Sequence, residues 1–456
     1  MTYPEFLASK AQLKNGSGFK PVWIPDFLFD FQAFLTEWAI RQGRAALYEE
    51  CGTGKTIQEL VWAENVVRHT NGNVLIMTPL AVASQTAREA QKFGIEVNIS
   101  RDGKIKPGIT ITNYERLHYF DKSDFVGAVC DESSRIKDDS SKSRKVITEF
   151  MRRMPYRLLA TATAAPNDYT EFGTSSEALG GLGHTDMLKK FFKNDENNIG
   201  TGRVYGKGRA WRFRGHSEVP FWRWMASWAR AMRKPSDFGF DDSKFVLPEL
   251  VEQDHLVKAL TLAPGFLFET TAKGMQEERE EQRRTINERC EKAAELAQTG
   301  KPVVLWCNLN PEGDLLEKLL PGCVQVKGKT SESDMQKREE VFEAFAAGQI
   351  RGIITKPKIG ALGLNWQHCA HSIDFPTYSF EQHYQKIRRF YRFGQTQTVK
   401  ADSVITESTC HIQEAVRRKS AQADRMFAAI VEHMNHAITI EGAKFTEKEI
   451  LPTWLS

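Results

Sequence analysis

The chain has 456 residues, of which 41% are hydrophobic and 26% are charged, and its formal net charge is +4. This length predicts two or three domains, and the composition is that of a globular protein with large buried cores. The mild positive charge permits nucleic-acid binding but does not require it.

Cysteine usage and hydropathy narrow the class of protein further. None of the seven cysteines belongs to a C-x-x-C pair, which argues against a disulfide framework or a zinc site and favours reduced, mostly buried thiols. The sequence has no apolar run of about 18 residues and no basic, apolar leader. We therefore expect a cytoplasmic protein with no membrane partner.

Short apolar runs alternate with helical stretches in the first third of the chain. The runs lie at 74–77, 109–112, 128–130 and 157–160, and the helical stretches include 81–93 and 142–153. Such alternation predicts a parallel sheet covered by helices on both faces. Polar residues directly follow the runs, at the sheet edge where ligands bind in open α/β folds.

This pattern stops after about residue 180. Residues 181–215 are rich in Gly, Lys, Arg and Asn and are predicted to form a loop. A charged helix with one apolar stripe is predicted over 274–299 and ends at Gly300. Three strands are then predicted, at 303–306, 350–355 and 372–375.

The two alternating regions predict an α/β fold with two domains. The first domain is predicted to span 1–245 and to carry a basic, aromatic-rich insertion at about 181–235. The second is predicted to span 246–456. The last twenty residues carry no pattern that predicts a structure or a function.

Residues 49–56, Glu-Glu-Cys-Gly-Thr-Gly-Lys-Thr, have the pattern of a phosphate-binding loop. The glycines permit a tight turn that aims backbone N–H groups at phosphate oxygens, and we assign nucleotide binding to Gly52, Thr53, Gly54, Lys55 and Thr56. Lys55 is expected to reach the β- and γ-phosphates, and the Thr56 hydroxyl to bind Mg²⁺. The strict pattern has Gly in place of Glu49, so these residues alone leave a chance match as an alternative.

A phosphate loop needs a second, acidic element, and Asp131-Glu132 follows an apolar strand. Asp131 is expected to hold Mg²⁺ directly or through water, and Glu132 to orient the attacking water as general base. Two carboxylates at the end of a buried strand lower the stability of the fold unless a cation pairs with them. The alternative is a solvated turn at the end of a strand.

The second domain offers two arginines, Arg389 and Arg392, which lie on one face of a predicted helix. Their forked guanidinium groups suit a clamp on the γ-phosphate, as in arginine fingers. A solvated basic face or a contact with DNA phosphates is the alternative, and Arg388 is expected to serve in one of those ways.

The order and spacing of these elements resemble superfamily-two helicases and, within them, the Swi/Snf-type DNA translocases, above all their compact phage and prophage versions. The resemblance covers about residues 28–420. Besides the elements above, the segments similar to family motifs are Phe31-Gln32, Thr78-Pro79-Leu80 with Ser84-Gln85 and Lys92-Phe93, Thr112-Asn113-Tyr114-Glu115, Thr161-Ala162-Thr163 with Pro166-Asn167, Lys327-Gly328-Lys329-Thr330, Thr355-Lys356 with Gly363-Leu364-Asn365, and Gln385 to Gln395.

The resemblance implies two RecA-like domains with ATP and Mg²⁺ bound in a cleft between them. It assigns Gln32 to the edge of the adenine, with Phe31 packing beside it, and adds Gly363 and Gln385 to the nucleotide site. The chain departs from the family in its second motif, where Ser133-Ser134 replaces Ala-His or Ala-Gln, so the coupling of nucleotide to DNA is expected to differ.

The resemblance also places DNA across both domains, with contacts to phosphate and sugar that do not read sequence. The residues it assigns to DNA are Pro79, Gln85, Thr112 and Tyr114 in the first domain and Asn308, Thr355, Lys356 and Tyr378 in the second. Tyr378 lies near the position of a Trp that relatives insert toward DNA.

Residues 203–234 interleave arginines with tryptophans, a composition that suits phosphate contact and base stacking. The alternative, which we favour for the tryptophans, is that Trp224 and Trp228 form the core face of a helix. For this region we assign a DNA-facing role to Arg212 and Arg214.

These features favour a nucleic-acid-dependent ATPase that translocates on duplex DNA, cytoplasmic in a bacterial host if it is phage-encoded. A strand-separating DNA or RNA helicase is the first alternative. An ATP-gated DNA-binding subunit of a larger complex is the second, and a protein partner that supplies targeting is compatible with all three.

Overall fold

The computed structural model describes residues 17–79, 82–136, 142–163, 169–194, 211–259, 275–328, 332–360, 364–377 and 379–442. Within them the chain folds into two α/β units, each built on its own sheet. The first unit contains the residues before Lys244 together with those from Arg425 onward, and the second contains Lys244–Asp424.

The first unit has a seven-stranded sheet in which every neighbouring pair is parallel, in the order β3-β4-β2-β5-β6-β1-β9. Its strands are β1 (Arg44–Glu49), β2 (Val74–Thr78), β3 (Val97–Ile99), β4 (Ile109–Asn113), β5 (Gly127–Asp131), β6 (Tyr156–Thr161) and β9 (Ala229–Met232). Its helices are α1 (Asp30–Gln42), α2 (Lys55–Thr70), α3 (Ala83–Lys92), α4 (Lys142–Arg152), α5 (Phe172–Leu179), α6 (His184–Phe191) and α7 (Glu218–Ala226). The central strands are buried almost throughout, as helices on both faces of a parallel sheet require.

The insertion contains regular structure that the sequence pattern did not predict. Helix α6 is followed by β7 (Phe192–Asn194), which pairs antiparallel with β8 (Trp211–Phe213). The prediction of a loop over 181–215 is therefore wrong for its described part. Most residues in this stretch are polar, which hides the apolar signal. Its apolar side chains Met187, Phe191 and Phe192 are nevertheless buried in the core of the unit, and they hold these elements in place.

The second unit has a six-stranded, wholly parallel sheet in the order β10-β15-β14-β11-β13-β12. Its strands are β10 (Leu250–Val257), β11 (Val303–Trp306), β12 (Cys323–Val326), β13 (Gly352–Thr355), β14 (His371–Asp374) and β15 (Val399–Thr406). Its helices are α8 (Met275–Arg284), α9 (Ile286–Ala297), α10 (Asn310–Leu319), α11 (Glu332–Ala346), α12 (Pro357–Gly360), α13 (Phe380–Ile387) and the start of α14 (Cys410–Gly442).

The α/β fold class with two parallel sheets, each flanked by helices, is confirmed. An ATP cleft between the two units stays a prediction. The single helix predicted over 274–299 is two helices, α8 and α9. They break at buried Thr285, whose backbone is not helical and whose hydroxyl donates to the carbonyl of Glu281 at 2.9 Å.

The long helix α14 belongs to both units. It begins in the second unit, whereas its part from Arg425 onward groups with the first. Ile430, Val431 and Met434 are buried in the core of the first unit, which draws that part of the helix there. This grouping differs from the single range 246–456 predicted for the second domain. None of the described helices combines the length and apolar character that crossing a bilayer requires.

A charged network joins three strands of the second unit. The buried carboxylate of Asp402 on β15 contacts Nε2 of His255 and Nε2 of His371, each at 2.8 Å, and Nζ of Lys400 at 3.0 Å. Burial alone would raise the pKa of Asp402, but these hydrogen bonds outweigh it and hold the pKa well below its usual range. The carboxylate therefore stays charged and ties β10, β14 and β15 together.

Candidate functional site

The predicted phosphate loop connects the end of β1 to the start of α2. Gly52 and Gly54 have φ angles of +89° and +88°, in the left-handed region that side chains other than Gly rarely adopt. A Cβ atom on Gly54 would lie 2.2 Å from Nε2 of Gln32. The loop shape therefore requires both glycines, and it delivers the N-terminus of α2, with its unpaired N–H groups, to the carboxyl edge of the sheet.

Side chains beneath the loop hold it in this shape. Nε2 of Gln32 donates to the carbonyl of Thr53 at 2.7 Å, and the amide oxygen of Gln32 accepts from the N–H of Phe29 at 3.0 Å. Gln32 and Phe31 are both buried. The amide of Gln32 thus positions the loop through one N–H and one oxygen lone pair, and the adenine contact of its remaining donor and lone pair stays a prediction.

Lys55, the first residue of α2, folds back over the loop. Its Nζ atom donates to the carbonyl oxygens of Glu49 at 2.8 Å and Glu50 at 2.9 Å. Nε2 of Gln58 donates to the buried carboxylate of Glu49 at 3.0 Å. These contacts anchor Glu49, the residue that departs from the strict glycine pattern, inside the base of the loop.

The predicted acidic pair lies at the same edge of the sheet as the loop. Strand β6 separates β5, which ends at Asp131, from β1, which leads into the loop. Glu132 has a φ of +56° and is one of two residues other than Gly with positive φ among those described. Its Oε1 atom accepts hydrogen bonds from the hydroxyls of Thr161 at 3.0 Å, Ser134 at 3.2 Å and Thr163 at 3.4 Å. Three donors thus stabilise a strained backbone and fix the direction of this carboxylate.

The donor set at this edge fits Mg²⁺ better than a metal held by protein alone. Within the described ranges no group of three or more His, Cys, Asp or Glu residues could hold a metal ion. Mg²⁺ takes hard oxygen ligands and is usually bound by one or two carboxylates together with phosphate oxygens and water. The half-exposed side chains of Thr56 and Asp131 offer such oxygens beside the loop.

Glu59 is a member of the site that the motif pattern did not predict. It lies one helical turn after Lys55 in α2, is 1% exposed, and has no hydrogen-bond partner among the described residues for either carboxylate oxygen. Burial raises its pKa well above the usual range, and the nearby carboxylate of Asp131 raises it further. The sequence did hold a signal for Glu59, since it is a charged residue at a buried position of the helix that begins with the motif lysine.

Replacing Glu59 with Gln should stabilise the protein at about pH 8 and leave stability nearly unchanged at about pH 4.5. Because the folded protein holds the Glu59 proton more tightly than the unfolded chain, the contribution of this carboxyl is fully present below the unfolded pKa of about 4.3 and is lost as pH rises through the folded pKa. Gln stays neutral throughout. Urea unfolding at both pH values measures the difference.

Glu64→Gln supplies the control for this measurement. Glu64 lies on the same helix but pairs with Arg68 at 2.8 Å near the surface, so its substitution should give no gain at either pH. A gain for Glu59→Gln that does not grow with pH would contradict the assignment of Glu59 as a buried, proton-holding carboxyl.

In the second unit, the residues predicted to bind nucleotide surround the end of α13. Gln385 and Arg389 are buried, and Arg392 is half-buried. The carbonyl of Leu364 accepts from Nη1 of Arg389 at 3.0 Å and from Nη1 of Arg392 at 3.4 Å. The structure thus brings both arginines to one carbonyl. Gly363 lies outside the described residues.

A buried ion pair, also missed by the motif pattern, holds this helix to the sheet. Lys386 of α13 pairs with Asp374 at the end of β14, and the same carboxylate accepts from the hydroxyl of Ser403 at 2.6 Å. Burial would raise the pKa of Asp374, but the Lys386 ammonium and His383 outweigh it and lower the pKa. Asp374 therefore remains charged and fixes the position of the helix that carries Gln385.

The residues assigned to DNA divide by burial. The buried ones are Pro79, Thr112, Tyr114 and Thr355. The hydroxyl of Thr112 donates to Ser100 O at 3.0 Å, that of Tyr114 to Asp131 O, and that of Thr355 to Val326 O at 3.2 Å. These side chains thus contribute to the interior of their own unit, and their contacts with DNA stay predictions.

The other residues assigned to DNA are accessible. Gln85, Asn308 and Lys356 are half-buried, and Arg212 and Arg214 are exposed. Arg214 also donates from Nε to the carbonyl of Phe192 at 2.7 Å, and this hydrogen bond fixes the position of its side chain. Tyr378, Leu80 and the pair Pro166-Asn167 lie outside the described residues, as do Lys329 and Thr330.

The tryptophans of residues 203–234 belong to the core, as favoured from the sequence. Trp222 and Trp228 are buried, and Trp211 and Trp224 pack partly buried against the same cluster. Trp228 lies beyond the end of α7, so the two tryptophans do not share one helix face. Arg230 is also buried, with its guanidinium 4.1 Å from the ring centre of Trp38.

The fold and this edge of the first sheet define an α/β protein with the strand, loop and helix geometry of a phosphate-binding loop. No family model matches the chain. It is similar to chromodomain-helicase-DNA-binding protein 1 of Gallus gallus and of Homo sapiens, with 28% identity over 234 residues in each case. Each match covers 44% of this chain and 13% of the relative.

Among solved structures, the chain is similar to the Sulfolobus solfataricus SWI2/SNF2 ATPase core in complex with dsDNA. The TM-score is 0.41 at 16% identity, and the match covers 91% of this chain and 96% of the other.

Proposed function

We propose that the chain is an ATP hydrolase that nucleic acid stimulates and that couples hydrolysis to translocation on duplex DNA. The observation that carries the proposal is the common sheet edge at which Lys55 and Thr56 follow β1 while Asp131 and Glu132 follow β5. A phosphate loop and an acidic pair at one edge are the parts that ATP hydrolysis requires. The names of the two curated relatives, which include both helicase and DNA-binding, support the same class.

Each residue has a role in this proposal. The N–H groups of the loop and Lys55 bind the β- and γ-phosphates, while Gln32 holds the loop from below. Mg²⁺ held by Thr56 and Asp131 would neutralise charge on the phosphate oxygens. Glu132, fixed by its three hydroxyl donors, accepts a proton from the attacking water.

The second unit supplies the arginine that stabilises the negative charge of the transferred phosphoryl group. Helix α13 and the residues after it present Gln385, Arg389 and Arg392, and the Lys386–Asp374 pair holds this helix to its sheet. Hydrolysis is thereby made to depend on both units, as a motor that alternates its grip on DNA requires. A change in the placement of α13 would then change the hydrolysis rate.

For the DNA contact we propose the accessible members of the predicted set, Gln85, Arg212 and Arg214 in the first unit and Asn308 and Lys356 in the second. Amide and guanidinium groups donate hydrogen bonds to phosphate and sugar oxygens without reading base identity. Contacts of that kind suit a protein that moves along any sequence.

Steady-state ATP hydrolysis without nucleic acid and with single-stranded DNA, duplex DNA or RNA tests the proposal. We expect the strongest stimulation by duplex DNA, together with displacement of a third strand from a triplex. Displacement of a paired strand, or stimulation by single strands or RNA alone, would instead identify a strand-separating helicase. Equal hydrolysis rates in all four conditions would contradict the proposal and favour an ATP-gated binding subunit.

A further inference from the structure

Four basic residues lie at the amino-terminal edge of the first sheet, opposite the edge that carries the phosphate loop, and a fifth, Lys145, lies about two turns away along α4. Arg44 and Arg157 are the first or second residues of β1 and β6 and face each other in register. Lys145, Arg152 and Arg153 lie on α4 or directly after it. We call these five residues the amino-edge patch.

Interior contacts explain only part of this patch. The buried Arg157 donates to the carbonyls of Met154 at 2.8 Å and Arg152 at 2.7 Å, which satisfies backbone groups at the end of α4. Arg44 donates to the carbonyl of Pro155 at 3.1 Å. Lys145, Arg152 and Arg153 are exposed and have no such task.

The positive charge of the patch is not balanced by the acids beside it. Glu177 pairs with Arg144 at 2.5 Å, and Glu149 pairs with Lys122 at 3.1 Å. Among the described residues, no carboxylate forms an ion pair with any of the five patch cations. Burial, followed by the nearby cations Arg44 and Arg152, lowers the pKa of Arg157 to about 10. The patch is therefore a concentrated positive field on an outer edge of the unit.

A cleft of about 480 Å³ runs along this part of α4, and all of its lining side chains are polar or charged. Thr148 also lines the cleft, and its hydroxyl is buried without a hydrogen-bond partner among the described residues. Lys145 and Arg152 are seven residues apart on α4, a separation of roughly 10 Å along the helix axis. The cleft thus offers a row of cations along α4.

We propose that the amino-edge patch binds the phosphate backbone of a second segment of duplex DNA. This inference rests on the proposed function, which places the first segment elsewhere on the chain. Arginine forks match phosphate oxygens, and the row of cations is long enough to meet about three phosphates of one strand. Three of the patch cations line this one cleft, and a nucleic-acid strand carries phosphates in a row that can meet them together.

A bridging experiment with the full chain tests this inference. One duplex is immobilised and loaded with protein, and capture of a second, fluorescent duplex is measured over a range of salt concentrations. The wild type should capture the second duplex. The triple variant Lys145→Ala, Arg152→Ala and Arg153→Ala should weaken capture at least tenfold and lower the salt slope by roughly two to three units, about 0.9 per lost phosphate contact.

The matched control removes three cations whose charges are already balanced or lie elsewhere. Arg41, Arg68 and Lys104 pair with Glu37, Glu64 and Asp102. Their triple replacement by Ala changes the net charge equally and should leave capture unchanged. Retention of the triple patch variant on the first duplex shows that this variant is folded. If the triple variant does not fold, Arg153→Ala alone is used in its place.

The outcomes separate this inference from the proposed function. Capture that is equal in wild type and patch variant overturns the inference, whether or not duplex DNA stimulates hydrolysis. Displacement of the second duplex by polyglutamate as effectively as by competitor DNA also overturns it, in favour of an acidic protein. Capture that depends on the patch, without stimulation of ATP hydrolysis by DNA, supports the inference and contradicts the proposed translocation function.

Discussion

Replacing Glu132 with Gln should lower nucleic-acid-stimulated ATP hydrolysis by about 10²–10⁴-fold while ATP binding is retained. The amide has the size of the carboxylate but cannot accept the proton of the attacking water. Its oxygen can still accept the hydrogen bonds that Thr161, Ser134 and Thr163 donate to Oε1 of Glu132. The local fold should therefore survive, and the loss should fall on the chemical step.

The measurement is single-turnover hydrolysis alongside equilibrium binding of a fluorescent ATP analogue. Ser134→Ala is the matched control, since it removes one of the three donors without removing the base, and it should cost less than about tenfold. Glu132→Gln hydrolysis within tenfold of the wild type would mean that another group is the base. Loss of analogue binding would instead show that Glu132 holds the site together.

The parts of the site that follow from sequence are those fixed by chain connectivity. The residues after β1 and β5 reach the same sheet edge because parallel strands end together, so the loop and Asp131-Glu132 could be placed from the alternation of strands and helices alone. The glycines at 52 and 54 follow from the backbone angles of the loop, and their φ values agree with that requirement.

What sequence could not supply is the direction in which a side chain near the end of a strand points. Thr112 and Thr355 follow the motif order, yet both are buried and bond to neighbouring strands of their own sheet. Glu59 fits an amphipathic helix in sequence, and only packing shows that α2 is enclosed on that side. Such facts depend on contacts between segments far apart in the chain.

The same reason explains the missed elements. Strand β9 is only four residues long, and its parallel pairing with β1 joins residues about 180 positions apart. Its neighbours in sequence are tryptophans and arginines, which suggest a nucleic-acid surface when taken alone. The burial of Trp222 and Trp228 in the core of the first unit is a property of the folded unit, not of their spacing.

Replacing Arg392 with Ala should lower hydrolysis by about 10³–10⁵-fold without unfolding the protein, whereas Arg389→Ala should also lower stability. The sequence assigned both residues to the γ-phosphate, but their surroundings differ. Arg389 is 4% exposed and donates from Nε to Gln385 O and from Nη1 to Leu364 O, each at 3.0 Å. Its fork is directed into the second unit.

Arg392 has the surroundings of a residue that can reach outward. It is half-buried, and its contact with Leu364 O is longer, at 3.4 Å. We therefore expect Arg392 to act on phosphate and Arg389 to position the segment after α13. Removing Arg389 takes this donor from the carbonyl of Gln385 and leaves the carbonyl of Leu364 with only the longer contact to Arg392, a loss of about 1–3 kcal/mol. Thermal unfolding should thus separate the two variants even where their hydrolysis rates are similar.

Arg392→Lys completes the test because it keeps the charge and removes the fork. An ammonium group cannot donate two parallel hydrogen bonds to a phosphoryl group, so this variant should remain close to Arg392→Ala in single-turnover hydrolysis. Recovery by Lys to near the wild-type rate would mean that Arg392 contributes charge alone. An Arg389→Ala protein that melts like the wild type yet hydrolyses slowly would reverse the assignment and make Arg389 the residue on the phosphate.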